Sequence, residues 1–148
     1  MSPKTGYEKP RAEKIEESEI HDKLAELMQL EEEETYRLIV ENTHEGIVVA
    51  QGDRLRFINE RVVEISGYNR AELLSKEFVE LVYPDDRATV IENYAKKLKG
   101  ENTPDTIPFR VLTKDGEIKW VLGSCVKINW QGQPALMGFV IDITSEKR

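Results

Sequence analysis

Little in this 148-residue chain suits covalent chemistry or metal binding. It has a single cysteine, Cys125, which excludes an internal disulfide and fits a reducing compartment, the cytoplasm. Only two histidines are present, His21 and His44, so a structural zinc site has almost no ligands to draw on. No apolar run approaches the roughly 20 residues of a membrane-spanning helix. Met1-Ser2-Pro3-Lys4 leads into charge rather than into the apolar core of a secretory signal. A basic stripe for nucleic acid is missing too: 21 Lys and Arg face 28 Asp and Glu, a net charge of −7.

What is present is unevenly distributed. Residues 1–35 carry 11 acidic and 5 basic side chains, whereas the rest of the chain carries 17 and 16. The acidity therefore belongs to an N-terminal extension. Residues 1–10, with Pro3, Gly6 and Pro10, read as a flexible leader. Residues 11–35 lack Gly and Pro and are rich in Glu, Lys, Leu and Ala, which predicts a charged, amphipathic helix. Ile20, Leu24 and Leu27 have the 4-3 spacing of a coiled-coil seam, but the next positions in phase are Glu31 and Glu34. Two readings stay open. The seam forms a homodimer contact, supported by Met28 and Leu30, or the apolar face rests on the chain's own domain.

Residues 36–144 read as one compact domain. Gly46 to Ala50 is β-branched, Gln51-Gly52-Asp53 turns, and Arg54 to Ile58 alternates. Asn59 is placed to cap a short helix that ends at Ser66-Gly67, and Asn69 to cap a second with Glu72 in capping-box spacing. Tyr83-Pro84-Asp85-Asp86 opens a longer helix whose inward face is Val90, Ile91, Tyr94 and Leu98. Three strands follow over 107–113, 117–129 and 135–144, with turns at Lys114-Asp115-Gly116 and Gln131-Gly132-Gln133. Strands and helices are segregated rather than alternating, so the class is α+β with an antiparallel sheet.

No catalytic constellation emerges, so the chain reads as a regulatory domain rather than an enzyme. Cys125 has no histidine near it in sequence to act as a base and reads as an inert small residue. Within 117–129 the stronger apolar phase is Ile118, Trp120, Leu122, Val126 and Ile128, and Cys125 falls on the other. Asp85 and Asp86 read as first-turn acids complementing the helix dipole, with no metal needed to explain them. His21 and His44 read as solvent-facing.

Five segments in order carry a resemblance: "ENTHEGIVV", "RFINERVVEISGY", "YPDDR", "KDGEIKWV" and "GFVIDIT". Over about residues 36–148 the chain resembles a PAS domain, the sensory module of prokaryotic signal-transduction proteins, two-component systems among them. The resemblance implies a five-stranded antiparallel sheet with short helices packed on one face and a pocket between them. It also implies an exit helix, begun here at residues 145–148, leading to an output domain such as a histidine kinase or diguanylate cyclase that is absent from the chain.

Members of that family that hold flavin carry Asn-Cys-Arg-Phe in the helical block, and "GYNRAELLSKEFVELVYPDDR" has no cysteine. Haem-binding members use a histidine on the long helix, and "DDRATVIENYAKKLKG" has none. No cofactor is therefore predicted. Phe57, Tyr68, Tyr94, Phe109, Trp120 and Ser124 form either the lining of a pocket for an unidentified small molecule or a filled core. The leading expectation is a sensor that relays a conformational bias through its last strand. The alternatives are a structural homodimerisation module and a haem or flavin sensor with unusual ligands. Asp142 lies in phase with Leu136, Gly138 and Val140, so its carboxylate should be held by a basic side chain or by backbone N–H groups. Thr144 or Ser145 is then expected to cap the exit helix.

Overall fold

The computed structural model describes residues 19–23, 25 and 43–147. The β-branched run Gly46–Gln51 forms β1, and the alternating run Arg54–Ile58 forms β2, its antiparallel partner. Their register shifts between Val49 and Ala50, a bulge that twists the hairpin. Three further strands follow the helices: β3 (Ile107–Leu112), β4 (Ile118–Trp130) and β5 (Gln133–Asp142). The sheet order is β2-β1-β5-β4-β3, which places the last strand of the chain at the centre.

β4 and β5 turn through only Gln131 and Gly132, because Gln133 already pairs with Trp130. The three-residue turn expected from sequence is thus one residue too long. Both turn residues have positive φ, 52° and 83°, as a two-residue hairpin requires. The Asn129 side chain accepts from the Gly132 N–H at 2.8 Å and supports that geometry.

The helices are short and well capped. Asn59 is 1% exposed, and its Oδ1 accepts from both Ile47 N and Val62 N, at 2.9 and 3.3 Å. One buried amide thus starts α1 (Glu60–Ser66) and fixes it to β1. Asn69 and Glu72 make the reciprocal capping box of α2 (Arg70–Ser75). Two 3₁₀ turns, Phe78–Leu81 and Pro84–Asp86, lead into α3 (Arg87–Leu98), and a final turn, α4 (Thr144–Lys147), follows β5. The expected inward face of α3 is partly wrong, since Ile91 is 48% exposed while Tyr94 packs inward against Phe78.

Two apolar layers sandwich the sheet. On the helix side, Ala50, Leu55, Ile58, Val62 and Leu73 form one cluster. On the other side, Ile47, Val49, Ile128, Ala135, Met137 and Phe139 pack together, and Ala25 of the N-terminal helical residues joins them. Strand alternation separates the two sets, as Val49 and Ala50 show. Burying side chains of this size stabilises the fold by about 1.5–3 kcal/mol each.

Asp86 does more than the sequence suggested. It ends a 3₁₀ turn and is the N-cap residue of α3, but its side chain makes no cap hydrogen bond and turns to β3 instead. Its Oδ2 accepts from the Arg110 backbone N–H and Nε at 2.8 and 2.9 Å, and its Oδ1 from Nη2 at 2.7 Å. The Arg110 guanidinium also lies over the rings of Tyr83 and Trp120. This ion pair fastens the start of α3 to β3, and the Arg110 hydrogen bond holds the Asp86 carboxyl below its ordinary pKa.

Candidate functional site

Between the sheet and the helical block lies an apolar cavity with two lobes. The first, about 150 Å³, is bounded by Val48, Ala50, Tyr94, Ile107, Phe109, Gly123, Cys125, Leu136 and Gly138. Asn93, Thr103, Pro104 and Asp105 also border it. The second, about 130 Å³, reaches toward Val62, Ile65, Leu81, Val111 and Val121, and the lobes share Val48, Leu55, Phe78, Val90, Phe109 and Val140. Small residues on the sheet create the hollow: Ala50, Gly123, Cys125 and Gly138 face the helices where larger side chains would fill it. Gly123 gives Phe109 its seat, because a Cβ there would stand 2.8 Å from the ring's Cε1.

Three of the six expected pocket residues, Tyr94, Phe109 and Ser124, border this cavity, and three do not. Phe57 tilts against Trp130 on the opposite face of the sheet, with ring centroids 6.5 Å apart. Trp120 pairs with Arg110 across the strands and belongs to the pleat opposite Val121 and Gly123. Tyr68 packs on the helix-side cluster under the Lys76 ammonium, outside both lobes. Aromatic size guided that expectation, whereas the cavity is carved by small residues. The usable signal was Gly123-Ser124-Cys125 in one strand with Gly138 in the next.

Two cavity groups carry perturbed protons. Burial raises the Cys125 thiol above its ordinary pKa and so favours the neutral thiol, against a smaller opposing effect of the Lys97 charge. Burial also raises the Tyr94 phenol, reinforced by Cys125; the Gly52 N–H opposes this only weakly, from outside hydrogen-bond geometry. The Tyr94 hydroxyl is buried with no hydrogen-bond partner among the described residues.

The end of β5 forms a second centre. Asp142 Oδ1 accepts from the Thr144 N–H at 2.9 Å and from the Thr144 hydroxyl at 2.6 Å. The same hydroxyl oxygen accepts from Trp120 N at 3.1 Å, and Ile143 N donates to Trp120 O at 2.9 Å. Burial pushes the Asp142 carboxyl up, but the Thr144 hydrogen bonds and the charges of Lys119 and Arg61 outweigh it, leaving the pKa below the ordinary value. Thr144 is the first residue of α4, and its side chain bonds backward to β4 rather than capping the helix. Leu136, Gly138 and Val140, on the same strand, line the cavity.

The N-terminal helical residues meet the other sheet face. Ile20 is 56% exposed, while Leu24 and Leu27 lie outside the described residues. His21, expected to face solvent, instead stacks on Phe139 with centroids 3.7 Å apart, and its Nε2 lies 2.9 Å from Glu45 Oε1. His44 is exposed. Among the described residues, no helix is long and apolar enough to cross a membrane.

Comparison with known proteins places this geometry. The sequence profile of the PAS fold matches residues 55–140. The aryl hydrocarbon receptor nuclear translocator homolog of Drosophila melanogaster is 28% identical over 72 residues, 49% of this chain but 11% of that protein's length. The PAS domain of a Colwellia psychrerythraea protein superposes with a TM-score of 0.67 at 21% identity, covering 75% of this chain and 96% of that one. A sensory box histidine kinase/response regulator from Burkholderia thailandensis E264 gives a TM-score of 0.58 at 25% identity, covering 78% and 88%.

Proposed function

This chain belongs to the PAS fold family, and from that membership we propose that it is a sensory relay domain, binding a small molecule between sheet and helices and passing a conformational bias through β5. One observation carries the reading: the same central strand lines the cavity at Leu136, Gly138 and Val140 and ends at the Asp142–Thr144 junction from which α4 departs. A shift of β5 against α3 therefore reaches the exit helix through the three residues between Val140 and Thr144. The two-state element is the seating of α4 against Trp120, which Thr144 and Ile143 hold through the hydrogen bonds described above. The output is a downstream domain such as a histidine kinase or diguanylate cyclase, and the domain itself performs no chemistry and works in the cytoplasm. We further propose that exposed Ile20, with Leu24 and Leu27 at 4-3 spacing in the sequence, contributes to a homodimer.

The test is a fusion in which this chain precedes a histidine-kinase catalytic core. Asp142→Ala should change the autophosphorylation rate several-fold while shifting the melting temperature by only a few degrees. If activity and melting move together, or neither moves, Asp142 is structural and the relay reading fails.

A further inference from the structure

The cavity's chemistry limits what it can hold. Among the described residues, Asp105 is the one charged side chain on either lobe, and it lies exposed on the 103–105 segment. Deeper in, the polar side chains are few and uncharged. The Asn93 amide donates to Thr89 O and Ser66 Oγ accepts from Tyr68 N, while the Tyr94 hydroxyl is buried and without a partner among the described residues. Among the described residues the lining offers no buried cation to an anion and no buried carboxylate to a cation, so a charge inside would be stripped of water with at most neutral hydroxyls to replace it. The dimensions add a second limit. Lobes of about 150 and 130 Å³ are each close to the volume of an engineered apolar cavity that stays dry and takes up benzene. Phe109, seated on Gly123, stands where the two lobes meet.

We propose that the ligand is an uncharged molecule with two ring-sized apolar halves, one in each lobe beside Phe109, its polar group turned to the mouth at Asn93 and Asp105. This rests on the ligand-sensing reading above and narrows it to a chemical class. A carboxylate, a phosphate or a polar metabolite is excluded from the interior, and a hydrophobic aromatic or alicyclic compound is favoured.

Two fluorescent probes of nearly equal shape separate these cases: phenylnaphthylamine, which is neutral, and anilinonaphthalene sulfonate, which adds one anionic group. Each is titrated into the full chain and into Cys125→Leu, which fills the first lobe, with Ala50→Leu as a second filling variant. The melting transition of each variant is checked first. The expected result is saturable binding of the neutral probe, roughly tenfold tighter than the sulfonate and weakened at least tenfold in a folded filling variant. Tighter binding of the sulfonate that is also lost on filling would overturn the uncharged class and leave ligand sensing intact. Probe binding that ignores both substitutions would overturn the cavity as a ligand site, and the sensing reading with it.

Discussion

Asp86, half-buried, and the buried hydroxyl of Tyr94 are polar groups with opposite fates, and the difference is measurable. Asp86 meets a guanidinium and a backbone N–H, so its ionised form is favoured in the folded chain. Because its folded pKa is depressed, its contribution is complete above the unfolded value, near about 4. It is lost as the pH falls from there through the lower folded pKa. Asp86→Asn should therefore destabilise the domain at pH 7 and flatten the acid limb of a stability-against-pH curve measured by urea unfolding. An unchanged acid limb would place the acid sensitivity elsewhere. Tyr94 buries a hydroxyl with nothing to receive it among the described residues. Tyr94→Phe should raise stability by about 1 kcal/mol, since it removes an unpaid desolvation without opening a cavity. A loss instead would reveal a partner for the hydroxyl. Sequence could suggest that Asp142 needs a partner, because its phase puts it beside semi-buried positions. It could not suggest that Arg110 takes Asp86, because those residues meet only when β3 is laid beside the start of α3.

At the scale of elements, the caps were the most legible feature. Asn59 and Asn69 act locally, within three residues of their targets, so pattern alone located α1 and α2. The strands and their alternation were legible for the same reason. The faces were harder. Both faces of this sheet are covered, so apolar residues occur on both pleats of β4, and the count of large side chains favoured Trp120 over Val121, which is 0% exposed. Ile91 was placed inward by helical period, yet α3 turns that edge to solvent and lays Tyr94 against Phe78. The N-terminal helical residues add a further surprise, with His21 lying flat on Phe139. His21→Ala should lower the melting temperature by uncovering that ring, whereas Ile20→Glu should leave melting unchanged and weaken self-association in sedimentation velocity. If Ile20→Glu sediments as the parent chain does, the outward face is not the dimer contact.

On the scale of the whole molecule, chain order and space order differ in a way that serves a relay. The last strand is the central one, flanked by β1 and β4, so its cavity-facing residues and its exit lie on a single rigid path. Segregated strands and helices pointed to the antiparallel class, but the position of β5 in the middle depends on long-range pairing that no local pattern encodes. The cavity was least legible of all, since it is an absence of side-chain volume at Ala50, Gly123, Cys125 and Gly138 rather than a presence. Amide hydrogen exchange across residues 141–147, with and without phenylnaphthylamine, reads the proposed coupling at its endpoint. Occupancy of the cavity should change the protection of the Ile143 and Thr144 N–H groups several-fold. Asp142→Ala should abolish that change while leaving probe affinity within about twofold. Saturable binding in the cavity with exchange at these amides unaltered would contradict the coupling of ligand to exit helix.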